Sequence, residues 1–550
     1  MSRYWRSSKD RALFAAPSAL GMVFGALAFM AAMTPSLIPR TGVLQGILGG
    51  LCFALAYGAG ALLVSLWRWI FEVNEAERPR VSSPIFMFCF ILSAGIIAWS
   101  LSQVTQWQND IHAAMAIAPV ETARPFTILG VGLVLASVLI LLGRLFRRLW
   151  RILAAQFEPF VPRRLAVVIG LCLAFGAFWM VGNDVVLGRI LAALDETYAT
   201  IDGLMPADEA APSDPLKTGS PASLVDWQGL GAEGRKWILD PTNAQSIAAL
   251  GGPAVEPLRI YVGLNDAEDA EARADLALRE ALRVGAFDRG TLVVATPTGT
   301  GWMDPAGMRP LEYLTGGDVA TIGVQYSYLP SWMSLILQPE YGAETADAVF
   351  HRVYAHWLSL PEADRPKLYL FGLSLGARNG DLAISWPQMV SAPVDGALWV
   401  GAPFAARGWQ QVIAAREAGS PAWAPRLGDG SVIRVMTQRG LADPTPAPWG
   451  PMRVVYLVYP SDPIAFFSAA TLWRAPPWMR EPRGPDVSQG LQWHPLVTVL
   501  QLVVDMMTAT TTPKGYGHVY DYKDYLAAWA QVLGVDDVDG HLNKIAALLP

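Results

Sequence analysis

Gly372–Leu373–Ser374–Leu375–Gly376 is a G-x-S-x-G string set between an apolar run, Lys367–Phe371, and a helical pattern that opens at Leu375. The placement has a chemical reason. A sharp strand-to-helix turn lifts a serine oxygen out of a sheet, and flanking glycines let the backbone pass closely. The first turn of the helix also turns backbone N–H groups toward a developing oxyanion. Ser374 is therefore the candidate nucleophile, and the Leu375 N–H is the candidate oxyanion donor. The bland reading is a plain turn with Ser374 as a helix cap.

A serine nucleophile needs a base, and the base needs an orienting acid. In this arrangement they follow in the order Ser, Asp, His. Asp462 lies just beyond the apolar run Arg453–Tyr459, at the strand-end position the acid requires. A turn-forming Asp before Pro463 is the alternative. His518 sits in the glycine-rich string Lys514–Gly515–Tyr516–Gly517–His518, ahead of the last strong helical pattern. His494 competes, but it precedes Pro495 and leads into an apolar helix. His351 and His356 come before the serine, and His541 lies near the end. A second oxyanion donor is expected in Pro297–Thr298–Gly299–Thr300–Gly301–Trp302, with Thr298 chosen within it. That string resembles a phosphate loop but lacks the Lys-Ser/Thr pair of one. Trp302, Tyr326, Tyr328 and Trp332 are candidates for an apolar substrate cleft; core packing and membrane-interface anchoring compete equally.

The elements that must hold these residues follow from periodicity. Continuous apolar runs are expected as strands at Leu258–Leu264, Thr291–Thr296, Val319–Tyr326, Lys367–Phe371, Gly396–Val400, Val432–Met436 and Arg453–Tyr459. Helical patterns separate them at Ala267–Gly285, Gly342–Leu360, Leu375–Trp386 and Tyr522–Gly534. Buried strands alternating with helices predict a mostly parallel sheet with helices on both faces. Residues 404–430 and 463–513, rich in Trp and Pro, are expected as cap-like insertions over the working edge of that sheet.

The front of the chain is a different material. Ala12–Met33, Val43–Leu66, Pro84–Leu101, Phe126–Gly143 and Leu165–Asn183 hold no Asp, Glu, Lys or Arg. Each approaches or exceeds the ~20 residues that cross a bilayer. About five spans are expected over residues 1–200. A Pro-rich linker follows at 201–225, then a catalytic domain at 226–550. Residues 1–200 hold 16 Lys+Arg and 10 Asp+Glu; the remainder hold 25 and 37. Thirteen of the front-half cations fall at the N-terminus, after the second stretch or after the fourth; the other two loops hold only Arg40 and Arg124. Basic loops stay cytoplasmic. The N-terminus is therefore expected in the cytoplasm, and with five spans in the inner (plasma) membrane the catalytic domain is extracytoplasmic.

Composition removes other classes. The chain is 53% hydrophobic and 16% charged, against about 25% charged in ordinary soluble proteins. That excludes a disordered chain, a coiled coil and an ordinary cytosolic enzyme. The acidic back half disfavours nucleic acid as a partner. Cys52, Cys89 and Cys172 all lie in the front half, so the back half forms neither a disulfide nor a Cys-ligated metal site. No HExxH occurs, and no metal or cofactor is expected. No acid, base or His sits deep in a span, which weakens a transporter reading.

Several strings together resemble a bacterial family of membrane-anchored α/β-hydrolases with a multi-span N-terminal domain. They are Thr34–Pro35–Ser36–Leu37–Ile38–Pro39–Arg40, Thr296–Trp302, Gln325–Trp332, Gly372–Gly376, Ser461–Asp462–Pro463 and Arg480–Asp486, spread over nearly the whole chain. The resemblance implies an α/β-hydrolase fold and a nucleophile at Ser374. Leu373 departs from it, standing where an acidic residue is expected in many relatives; the departure bears on specificity rather than chemistry.

These readings converge on a membrane-bound serine esterase or lipase whose partners are membrane lipids and an ester or acyl substrate. Acyl transfer through the same triad is the close alternative. A non-catalytic scaffold or lipid-binding protein with an inactive hydrolase fold is the alternative from another class.

Overall fold

The computed structural model describes residues 17–71, 83–187, 210–331, 340–480 and 482–550, with isolated positions at 189, 197–198, 200, 202–203 and 333–334. They form two compact units. The first takes the described residues of Met1–Leu194 with Ala469–Ala475 and Val487–Asp505; the second takes those of Asp195–Ser468, Pro476–Asp486 and Met506–Pro550.

The first unit is built on α1 (Ala19–Met33), α2 (Gly42–Ile70), α3 (Pro84–Ala114), α4 (Pro125–Phe157) and α5 (Arg163–Trp179). Side-chain oxygens of Ser18, Thr41 and Ser83 cap the first three, supplying acceptors that the first turn of a helix lacks. Among the described residues four helices are long and apolar enough to cross a membrane: Gly42–Arg68, Pro84–Ala114, Pro125–Phe157 and Arg163–Asn183. The first expected span is shorter than its apolar stretch. Its helix has 15 residues, about 22 Å at 1.5 Å per residue, against a hydrocarbon core of about 30 Å. Residues 12–16 of that stretch lie outside the described residues.

Large apolar side chains such as Leu62, Phe88, Val134 and Phe175 face outward, as lipid-facing positions do. Small residues allow the close approaches inside. A Cβ on Gly50 would lie 2.6 Å from the Gly132 carbonyl oxygen across α2 and α4. The string Thr34–Arg40 also acquires a physical reason. Arg40 Nη2 lies 2.7 Å from Asp505 Oδ1, and Leu37 N–H and the Ser36 hydroxyl donate to Asp505 Oδ2. Arg40 Nη1 reaches Gln45 at 3.3 Å, and its backbone N–H reaches Gln108 at 3.0 Å. Asp505 belongs to a short apolar helix, Val497–Met507. Residues 463–513, expected as one cap-like insertion, divide between the two units. Ala469–Ala475 and Val487–Asp505 pack with the helical unit, because that helix is apolar and its carboxylate is claimed by Arg40.

The second unit centres on eight strands: β1 (Leu258–Val262), β2 (Thr291–Thr296), β3 (Val319–Val324), β4 (Lys367–Leu373), β5 (Gly396–Val400), β6 (Ile433–Thr437), β7 (Gly440–Leu441) and β8 (Arg453–Leu457). Their order is β1-β3-β2-β4-β5-β8-β6-β7. All pairs are parallel except the β6–β7 hairpin. The first five strands are buried along almost every residue, which is why they read as continuous apolar runs rather than alternating ones. The crossovers are α6 (Ala270–Arg283), α7 (Pro305–Leu314) and α8 (Tyr341–Ser359); α9 (Leu375–Leu382) leaves β4, and α10 (Tyr522–Leu533) packs on β5 and β8.

All seven expected strands form, and β7 is added. The segment expected as one helix from Leu375 to Trp386 ends at Leu382, and a separate short helix runs from Trp386 to Ser391. The expected linker is not wholly exposed. Thr218 is fully buried and its hydroxyl donates to the Arg259 carbonyl at 3.0 Å, so the end of that segment packs on β1. Most of 188–209 lies outside the described residues.

Candidate active site

β4 ends at Leu373 and α9 begins at Leu375, leaving Ser374 alone in the turn with φ 57° and ψ −121°. A side chain pays for that conformation, which glycine alone adopts freely. Two constraints impose it. The Ser374 N–H donates to the Val400 carbonyl at 2.9 Å, as though β4 continued. Gly376 presses on the end of β2, where a Cβ would overlap the Thr296 carbonyl oxygen. The glycines of the string are therefore steric requirements of the turn.

Asp462 lies three residues beyond Tyr459, caps a short helix by accepting from the Ile464 N–H at 2.9 Å, and is fully buried. Its other oxygen, Oδ2, lies 2.7 Å from His518 Nδ1. The Tyr520 hydroxyl donates to the same oxygen at 2.8 Å. With Nδ1 given to Asp462, His518 presents Nε2, which is buried with no hydrogen-bond partner among the described residues. Ser374 and His518 both meet the end of β5: the Ser374 N–H bonds to Val400, and a Cβ on Gly401 would lie 2.6 Å from His518 Cε1.

A second set of bonds runs beside the first, one residue earlier on each loop. Gly517 N–H donates to Ser461 Oγ at 2.8 Å, and Ser461 Oγ donates to Asp486 Oδ2 at 2.5 Å. Asp486 also accepts from the Ser461 N–H at 3.1 Å. The acid loop and the histidine loop are thus tied together twice. Burial raises the Asp486 carboxyl, with the Ser461 hydroxyl acting the other way. Burial also pushes Asp304 up to about 6, although Tyr525, the Ala306 N–H and His518 oppose it.

The remaining expected site residues fall in different places. Leu375 is the first residue of α9, so its N–H belongs to the set with no intrahelical acceptor. The Thr298 N–H is already committed to the Trp302 carbonyl at 3.1 Å, while Gly301 N–H donates back to Thr298 at 2.9 Å and Gly299 N–H to Ser331 Oγ at 3.1 Å. In this conformation Thr298 has no amide left for an oxyanion, because the loop closes on itself as a turn. Tyr326 and Tyr328 line a cavity of about 410 Å³ with Leu264, Arg273, Tyr341 and Glu344; Trp302 is half-exposed and not among its walls. Trp332 lies outside the described residues. His494 belongs to the helical unit. Among the described residues no cluster of three or more His, Cys, Asp or Glu is placed to hold a metal ion.

Tyr520 and Asp486 also join these loops, the first bonding to Asp462 and the second to Ser461. Asp486 closes the Arg480–Asp486 string, which was a signal without an assigned role. Tyr520 carries no motif; only its spacing two residues after His518 could have drawn attention.

Comparison with known proteins adds two matches. A family model described as "Alpha/beta-hydrolase family" matches residues 258–544, and one described as "Alpha/beta-hydrolase family N-terminus" matches residues 33–241. No curated protein and no solved structure matches the chain.

Proposed function

Because the chain belongs to the Alpha/beta-hydrolase family, we propose that it is a membrane-bound serine hydrolase that cleaves carboxylic esters, of lipid or other acyl character, through an acyl-enzyme on Ser374. The observation that carries the reading is the backbone of Ser374, held at φ 57° between β4 and α9. Strain of this kind persists where the surrounding structure over-determines it, and functional turns are where it collects.

The chemistry follows from the residues. Ser374 Oγ attacks the ester carbonyl carbon as its proton passes to His518 Nε2. The imidazolium is stabilised by Asp462 at Nδ1. Charge develops on the former carbonyl oxygen, where the Leu375 N–H at the start of α9 stabilises it. Collapse expels the alkoxide, which takes the proton from His518. Water, deprotonated by the same nitrogen, then releases the acid and restores Ser374. The apolar helices of the first unit favour an acyl chain as the group carried. Purified full-length protein should hydrolyse p-nitrophenyl esters with a rate that depends on acyl length; a flat zero from acetate through palmitate overturns the ester reading.

The same proposal places the catalytic unit outside the cytoplasm. The four long helices α2 to α5 are an even number, so the loop after α1 and the chain after Asn183 leave from the same end of the bundle. Arg40 and Arg124 lie at that end, near Gln108 and Gly42. Arg68 at the end of α2, Arg144, Arg147, Arg148 and Arg151 in the second half of α4, and Arg163 and Arg164 at the start of α5 belong to the other. Basic residues concentrate on the cytoplasmic side, and the two ends differ in charge whether or not α1 crosses. An alkaline phosphatase fused after Pro550 should be active, and green fluorescent protein there dark. The reverse pattern removes the extracytoplasmic assignment.

A further inference from the structure

Resting on the serine-hydrolase reading, we propose that Tyr520 is a positioning residue for the catalytic base: its hydroxyl shares one oxygen of Asp462 with the His518 ring and tempers the pull of that carboxylate on the histidine proton. Asp462 Oδ2 accepts from Tyr520 at 2.8 Å and from His518 Nδ1 at 2.7 Å. Oδ1 is occupied by the Ile464 N–H at 2.9 Å. All three side chains are buried. In such surroundings a hydrogen bond to a charged group is stronger than in water. A carboxylate oxygen that accepts a second donor is a weaker attractor for the first.

Tyr520 is itself fixed. Its ring stacks on Tyr459 with centroids 4.3 Å apart and meets the His518 ring edge-on at 5.7 Å. The Tyr459 N–H approaches its hydroxyl oxygen at 3.4 Å. Burial, reinforced by the charge on Asp462, holds the Tyr520 phenol well above its ordinary range, so it remains a donor throughout the working pH. The other titratable groups packed nearby have different partners. Asp304 is held by Tyr525 at 2.7 Å, Asp524 by Tyr459 at 2.5 Å, Asp486 by Ser461, and Asp521 accepts from the Lys523 N–H. Among the described residues none of these carboxylates bonds to Asp462, His518 or Tyr520.

Removing the Tyr520 hydroxyl leaves Asp462 to His518 alone at Oδ2, and the imidazolium is then held more tightly. The base loses its proton at higher pH, so the acidic limb of the pH profile moves upward. In Tyr520→Phe the limb should move to higher pH, because the carboxylate loses a competing donor. The plateau of kcat should fall about tenfold, with KM unchanged. Tyr459→Phe is the control, since that hydroxyl goes to Asp524 instead, and its limb should stay in place. A loss of kcat with an unmoved limb in Tyr520→Phe means a structural role only and overturns the proposal.

A second arm does not depend on turnover or on the variant's folding. The imidazole of His518 is followed by NMR in histidine-labelled full-length protein, its signal assigned by loss in His518→Gln. 3-Fluorotyrosine placed at position 520 keeps the side chain's size while making the hydroxyl a stronger donor. The His518 ring titration should then move down, opposite to Tyr520→Phe. Equal titrations in native and fluorinated protein sink the proposal. Absent esterase activity together with absent fluorophosphonate labelling of the unaltered protein would remove the hydrolase reading, while the NMR titration still decides the role of Tyr520.

Discussion

Ser374→Ala should abolish labelling by a fluorophosphonate probe and lower kcat for any ester by about four to six orders of magnitude, the range seen when a serine nucleophile is deleted. The protein should stay folded. Alanine removes one buried oxygen and leaves in place the contacts that hold this position at φ 57°. Ser374→Gly separates catalysis from strain. It loses the nucleophile equally, yet it relieves a conformation that costs a side chain about 1–3 kcal/mol. The glycine variant should therefore unfold at a higher temperature than the alanine variant while being just as inactive. Retained probe labelling in either variant would take Ser374 out of the mechanism. Equal melting temperatures would show that the turn stores no strain at this residue.

What could be read in advance depended on how far each signal extends along the chain. The strands are buried on both faces, so their apolar runs stood out, and the G-x-S-x-G turn is a purely local pattern. The helix α7 was hidden because Pro305, Gly307 and Pro310 argue against a helix; Asp304 caps it, and Pro305 occupies the first helical position, where its missing N–H costs nothing. The split of 463–513 between two units depended on Arg40 meeting Asp505, 465 positions away, and no local pattern reports such a pair. The same holds for Asp486 and Tyr520, whose parts come from bonds made across the fold. The Thr298 amide fell to a different effect: two glycines suggested backbone open to a ligand, but they serve a turn that consumes the N–H groups it was expected to offer.

The choice of base carries the other large effect. His494 and His518 look alike by one measure, since each buries Nε2 without a hydrogen-bond partner among the described residues. They differ at Nδ1. His518 has Asp462 at 2.7 Å, and no carboxylate pairs with His494 among the described residues. Burial lowers His494 from its ordinary range, so His494 holds a proton poorly and has nothing to stabilise the imidazolium a general base must become. His518→Ala should therefore lose nearly as much kcat as Ser374→Ala, about four to six orders of magnitude, while His494→Ala should keep most of it. The double variant Ser374→Ala with His518→Ala should be no worse than either single one, because the pair acts as one device. Asp462→Asn should lose less than either. Steady-state kinetics on one chromogenic ester measures the whole set. Losses that multiply would mean that Ser374 and His518 work in separate steps, and a deep loss in His494→Ala with a shallow one in His518→Ala would move the base to the helical unit.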